Sequence, residues 1–134
     1  MAATWLKDLC EYLEDQSVGA VGTNIFHGRL PSSPDSAIAA YDAGGSYVPH
    51  GAEVPWNEHV AEFRVRAATH AAATTLAGSV ITAVNGKAGI TLNGSTVIHW
   101  MRADSTPALL EYDERRRAVL LVRVTLQVQR SMLY

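Results

Sequence analysis

The feature that most restricts the fold is an alternation near the end of the chain. From Arg117 to Gln129, the apolar residues Leu120, Val122, Val124, Leu126 and Val128 alternate with Leu121, Arg123, Thr125, Gln127 and Gln129. Successive side chains of a strand point to opposite faces, so this pattern predicts one long strand with a buried side. A second stretch repeats it: Ala61, Phe63, Val65 and Ala67 alternate with Glu62, Arg64 and Arg66. Two strands of this kind require a sheet, and the apolar face of that sheet requires a cover.

Two amphipathic helices supply the cover. Trp5, Leu6, Leu9, Cys10 and Leu13 recur at helical spacing, with Lys7, Asp8, Glu11 and Glu14 on the other side. Thr4 reads as the N-cap, and the glycines between Ser17 and Gly22 end the helix. Thr69 caps a second helix with an apolar stripe of Ala73, Leu76, Ala77, Val80, Ile81 and Val84, which stops at Asn85-Gly86. Its small residues Ala71, Ala72, Gly78 and Ser79 permit close approach to a sheet.

The remaining segments read as strands and turns. Gly22 to Gly28 and Ala37 to Asp42 are short strands, separated by Leu30-Pro31-Ser32-Ser33-Pro34, whose prolines cannot sit inside a paired strand. Gly89 to Leu92 and Ser95 to Arg102 form a hairpin about Asn93-Gly94, and Pro107 to Tyr112 leads through Asp113-Glu114-Arg115-Arg116 into the long final strand. The expectation is an α+β fold over residues 1–134 as a single domain, a mainly antiparallel sheet with two helices on one face.

One stretch lacks periodicity. Ala43 to Glu58 reads as a loop that holds glycines and prolines together with Tyr47, Val48, Val54 and Trp56. A loop of this length is commonly functional, so these four residues are candidates for a partner surface, with a loop folded back over the core as the alternative.

Charge and motifs exclude several classes of function. A formal net charge of -2 and a pI near 6.2 give no basic footprint for sequence-specific nucleic-acid binding. The single cysteine, Cys10, allows neither an internal disulfide nor a cysteine-based zinc site. No charged-then-apolar leader opens the chain and no apolar run approaches the roughly 18 residues of a membrane span, so a protein made in the cytoplasm without membrane insertion is expected. No phosphate loop, nucleophile elbow or His-Glu-x-x-His pair occurs, and no cofactor is implied. The five histidines are scattered; His59 and His70, with Glu53, Glu58 and Glu62 nearby, are the only hint of a metal-dependent enzyme.

The arginines and tryptophans suggest contacts instead. Arg115-Arg116-Arg117 reads as a solvated hairpin turn, with pairing to a neighbouring subunit's carboxylate as its functional alternative. Arg64 and Arg66 share one strand face, which with Arg123, Thr125 and Gln127 forms a polar outer surface able to meet acidic residues of another copy. Trp5 is expected in the core, whereas Trp56 and Trp100 are candidate interface anchors, Trp100 with the stronger claim to the core.

Three stretches in order carry a resemblance to a known family: the opening helix running into Val21-Gly22-Thr23-Asn24-Ile25-Phe26-His27-Gly28-Arg29-Leu30-Pro31, then Pro34-Asp35-Ser36-Ala37-Ile38-Ala39-Ala40-Tyr41-Asp42, then Phe63-Arg64-Val65-Arg66-Ala67 followed directly by a helix. Together they resemble the tail terminator, or minor capsid, proteins of long-tailed bacteriophages. The Glu111-Tyr112-Asp113-Glu114-Arg115-Arg116 turn matches loosely, lacking a glycine often seen there. The resemblance implies a structural protein of the virion tail, assembled in the host cytoplasm, that forms a homo-oligomeric ring, typically a hexamer. That ring would sit on the last ring of the major tail tube protein, stop tail growth and offer a surface to the head-completion or stopper connector protein. Genomic DNA would pass through without being gripped. A head-closure or neck connector protein is the alternative from the same biology, and a small metal-dependent enzyme the alternative from another class.

Overall fold

The computed structural model describes residues 5–47, 56–92 and 96–129. Among them are α1 (Trp5–Asp15), β1 (Ile25–His27), β2 (Ala37–Tyr47), β3 (Trp56–Ala67), α2 (His70–Val84), β4 (Lys87–Thr91), β5 (Val97–Ala103), β6 (Ala108–Tyr112) and β7 (Ala118–Gln129). The strands make one seven-stranded sheet ordered β1-β2-β3-β7-β5-β4, with β6 also paired to β7. All pairings among these strands are antiparallel except β1 with β2. The fold is thus α+β with a dominant, mainly antiparallel sheet.

β3 and β7 form the centre, paired along their whole length from Trp56↔Gln129 to Ala67↔Ala118. Phe63 opposes Val122 and Val65 opposes Leu120, so the apolar positions of both strands share one face, and all four are buried. α2 lies over β3, β7 and β5, and α1 over β1 and β2. Trp5, Leu6, Leu9, Cys10 and Leu13 of α1 and Ala73, Ala77, Val80 and Val84 of α2 complete the core. Burying each of the larger side chains contributes roughly 1.5–3 kcal/mol, so the two central strands and their helical cover dominate the stability.

Local signals set the helix ends. The Thr69 hydroxyl accepts a hydrogen bond from the Ala72 amide at 3.1 Å, the N-cap that its side chain predicts. At the other end the Asn85 amide donates to the Ile81 carbonyl, and Gly86 turns the chain into β4 at φ 76°. Leu76 and Ile81 are only half-buried at the border of the helix's apolar stripe. The expected cap at Thr4 and the Asn93-Gly94 turn lie outside the described residues.

Both ends of the segment expected to be a loop are strand. β2 continues past Asp42 to Tyr47 and β3 begins at Trp56, which leaves only 48–55 outside the described residues. The register shifts between Asp42 and Gly45, a bulge that interrupts period-two patterning. Gly44 adopts φ 93°, and its amide is held by the Asp42 carboxylate at 2.9 Å. At Gly45 a Cβ would lie 2.1 Å from the Glu58 carbonyl oxygen, so the glycine permits the close approach of the two strands.

Asp8 also departs from expectation. It was assigned to the polar side of the first helix, but it is 4% exposed. Its carboxylate accepts a hydrogen bond from the buried Thr96 hydroxyl, which offsets the desolvation of an acid placed under the β4–β5 end of the sheet.

Candidate assembly interface

The sheet face opposite the helices carries the even-numbered residues of β3 and the odd-numbered residues of β7. Tyr41, Glu62, Arg64 and Leu121 are half-buried there, and Arg123 is exposed. The Arg64 guanidinium lies 5.0 Å from the centre of the Tyr41 ring and its Nη2 is 3.5 Å from Glu62 Oε1. Its Nε is buried without a hydrogen-bond partner. Arg123 stands across the strand from Glu62. Further along, Arg102 stacks on Trp100 at 5.1 Å, and the Asp104 carboxylate accepts a hydrogen bond from the Thr125 hydroxyl at 2.7 Å. This face mixes both signs of charge with stacked aromatics, a composition suited to a protein partner rather than to a polyanion.

Two residues expected on that polar surface are not exposed. Thr125 is 6% exposed beneath Asp104, and Arg66 is 3% exposed. Arg66 Nε donates to the Asp35 carbonyl at 3.2 Å and its Nη2 to the Pro34 carbonyl, so the side chain folds back onto the Pro31–Ser36 turn. Burial pushes the Arg66 guanidinium below its ordinary pKa, and the nearby Arg117 pushes it in the same direction.

The arginine run divides in the same way. Arg115 and Arg116 are exposed, whereas Arg117 is 6% exposed. Arg117 Nε donates to Asp113 Oδ2 at 2.7 Å, and its Nη1 donates to the Ser32 carbonyl at 2.7 Å and to Asp35 Oδ1 at 3.1 Å. The other Asp113 oxygen accepts the Arg115 and Arg117 amides at 3.0 and 2.8 Å. Burial raises the Asp113 carboxyl, but the hydrogen bonds from Arg117 and Arg115 outweigh it and hold the group below the usual carboxylate range. Arg66 and Arg117 therefore act as internal clamps, Arg66 tying the β1–β2 connection to β3 and Arg117 tying it to the β6–β7 turn.

Of the proposed loop residues, Val48 and Val54 lie outside the described residues. Tyr47 and Trp56 belong to paired strands, Tyr47 opposite Asn57 and Trp56 opposite Gln129. Trp5 is fully buried as expected, its ring 4.8 Å from that of His59, and Trp100 is half-buried at the edge of the outer face. His59 points to the helix side of β3, away from Glu58 and Glu62, and His70 opens α2 beyond the other end of the strand. Among the described residues no group of three His, Cys, Asp or Glu side chains could hold a metal ion. An open cleft between α1 and α2, lined by Gln16, Thr75, Ser79 and Lys87, has no carboxylate or histidine in its walls.

β6 matches the strand expected over Pro107 to Tyr112, but the sequence reading did not single it out as a surface. All five of its residues are exposed, with Leu109, Leu110 and Tyr112 showing 46%, 44% and 55% of their surfaces. The adjacent leucines were the available signal, since neighbouring strand positions face opposite sides and cannot both enter one core.

The profile of the bacteriophage tail terminator protein family matches residues 12–130. The chain belongs to this family. Among solved structures, a chain from the virion of a native gene transfer agent particle shares the fold of this chain at a TM-score of 0.61 and 15% identity, over 96% of this chain and 98% of that one. No curated protein sequence matches it. Tail terminators are structural proteins of the virion tail. Among the described residues, no helix is long and apolar enough to cross a membrane.

Proposed function

We propose that this terminator forms a ring, of six subunits, on the head-proximal end of the tail tube, where it stops addition of the major tail tube protein and presents a docking surface to the head-completion or stopper connector protein. The family match over residues 12–130 carries this reading. The helix-free sheet face, with Tyr41, Glu62, Arg64, Leu121 and Arg123, supports it as a surface for protein contact. A formal charge of -2 suits a ring through which DNA slides, because no cluster of cations holds the phosphates. The likeness to a gene transfer agent virion chain agrees with a place in a particle.

Deletion of the gene from its phage tests the reading. The expected result is complete heads beside unjoined tails of uncontrolled length, with both defects repaired by supplying the protein. Tails of normal length that fail only to join heads would replace the reading with that of a head-closure protein.

A further inference from the structure

Ring contacts that run head to tail use two different surfaces on each subunit. The sheet offers two open edges at the same height along its strands. Ile25, Ile38, Val65, Leu120 and Leu109 stand in one continuous register row across β1, β2, β3, β7 and β6. An isolated bridge places Val21 beside Ile25, outside β1, so the row starts at Val21 and ends at Leu109. The interior of the row is buried, but Val21 is 42% exposed and Leu109 46%. Each end of an otherwise buried apolar row is therefore open to solvent, and at the β6 end Leu110 and Tyr112 widen the patch.

The charges beside the two ends are opposite, and the acidic one is placed against local preference. α1 ends with Glu11, Glu14 and Asp15 and has no basic residue in its last turn, although the negative end of a helix dipole favours cations. Val21 lies against this end, its amide donating to Glu14 Oε1 at 2.7 Å. Beyond β6, the β6–β7 turn projects Arg115 and Arg116, neither in an ion pair among the described residues. Arg116 holds φ 61°, the left-handed region where a glycine would be relaxed. The cations on one edge complement the acids at the helix C-terminus on the other.

We propose that the occupant of the β6 edge is a second copy of this chain, which places its Val21 against Leu109, Leu110 and Tyr112 and its α1 C-terminus against Arg115 and Arg116. The contact rests on the ring reading above and specifies which surfaces close the ring. Because the two patches differ, like edges do not pair, and each subunit gives one edge and receives the other.

Engineered cysteines test the pairing. Cys10 does not interfere, since it is buried and its thiol is pushed up to about 12. Val21→Cys and Leu109→Cys proteins are mixed with tail tubes under mild oxidation, separately, together and as the double variant. The expected result is no linkage within either single variant, dimers only when the two are mixed, and from the double variant a ladder that ends at the ring number. Arg115→Glu with Arg116→Glu removes the ladder, and adding Glu14→Lys with Asp15→Lys restores it at least partly. Rings visible by electron microscopy with no cross-links in any mixture would overturn this pairing and leave the ring reading standing. Linkage within a single variant would overturn it in favour of like-edge contacts. Absence of rings under all conditions would remove both.

Discussion

Replacing Arg117 by Met lowers the melting temperature by roughly 10 °C, from a loss of about 3 kcal/mol at the lower end of the range for breaking a buried ion pair. The side chain of Arg117 is 8% exposed and bonded to Asp113, Asp35 and the Ser32 carbonyl, so its removal leaves a poorly hydrated carboxylate and an unpaired carbonyl together. The Asp35 pair adds little, because that carboxylate is 65% exposed and screened by water. Arg66→Glu has an effect of similar size, since it places an anion against the Pro34 and Asp35 carbonyls. Arg64→Glu and Arg123→Glu, on the same sheet face, leave the melting temperature within about 2 °C, the ordinary range for surface substitutions. Thermal denaturation of the four variants checks the set; equal behaviour of Arg64 and Arg66 would refute the internal clamp. The clamp also has a pH signature. The folded Asp113 carboxyl is held below its unfolded value, so its stabilisation is complete above the unfolded pKa near 4 and is lost as pH falls through the folded one. Asp113→Asn should flatten that acid limb.

Gly45→Val should destabilise the protein by about 3 kcal/mol, the upper end of the usual cost of overpacking. The clash is with backbone, Glu58 carbonyl oxygen at 2.1 Å and His59 Cα at 2.8 Å, and no side-chain rotation relieves it. The strands must part where Gly45 meets His59, and amides of residues 57–59 should exchange with solvent faster than those of residues 61–67. Gly44→Ala, where φ is 93° and the space is open, costs about 1 kcal/mol. Gly78→Ala in α2, with nothing within 4 Å of the new Cβ, raises stability by roughly 0.5–1 kcal/mol. Denaturant titration of the three variants should give this order; a neutral Gly45→Val would mean that β2 and β3 do not pair beyond Asp42.

The contrast between these sites explains what the sequence made legible. β7 and the core half of β3 were readable because their alternation is unbroken, and α2 because Thr69 and Asn85-Gly86 punctuate an apolar stripe. The end of β2 was hidden by the bulge between Asp42 and Gly45, which shifts the period without changing the strand. Buried polar residues were hidden for a different reason. Asp8 is satisfied by Thr96, 88 positions away, and Arg117 by Ser32, 85 positions away, so no local pattern separates them from solvated neighbours. Of the arginines proposed for a partner surface, Arg115, Arg116 and Arg123 are exposed and Arg64 is half-buried, while β6 was read as a strand but not as a surface, because five residues are too few for a period to show which face is buried.

The central claim is that this chain ends a tail. Purified major tail tube protein of the same phage, polymerising onto tail-tip seeds, gives tubes whose lengths can be measured by electron microscopy before and after the terminator is added in small molar proportion. The account predicts that elongation stops on addition and that a ring of extra density marks one end of each tube, opposite the tip. Continued growth, with the protein absent from tube ends or bound along their sides, would contradict it.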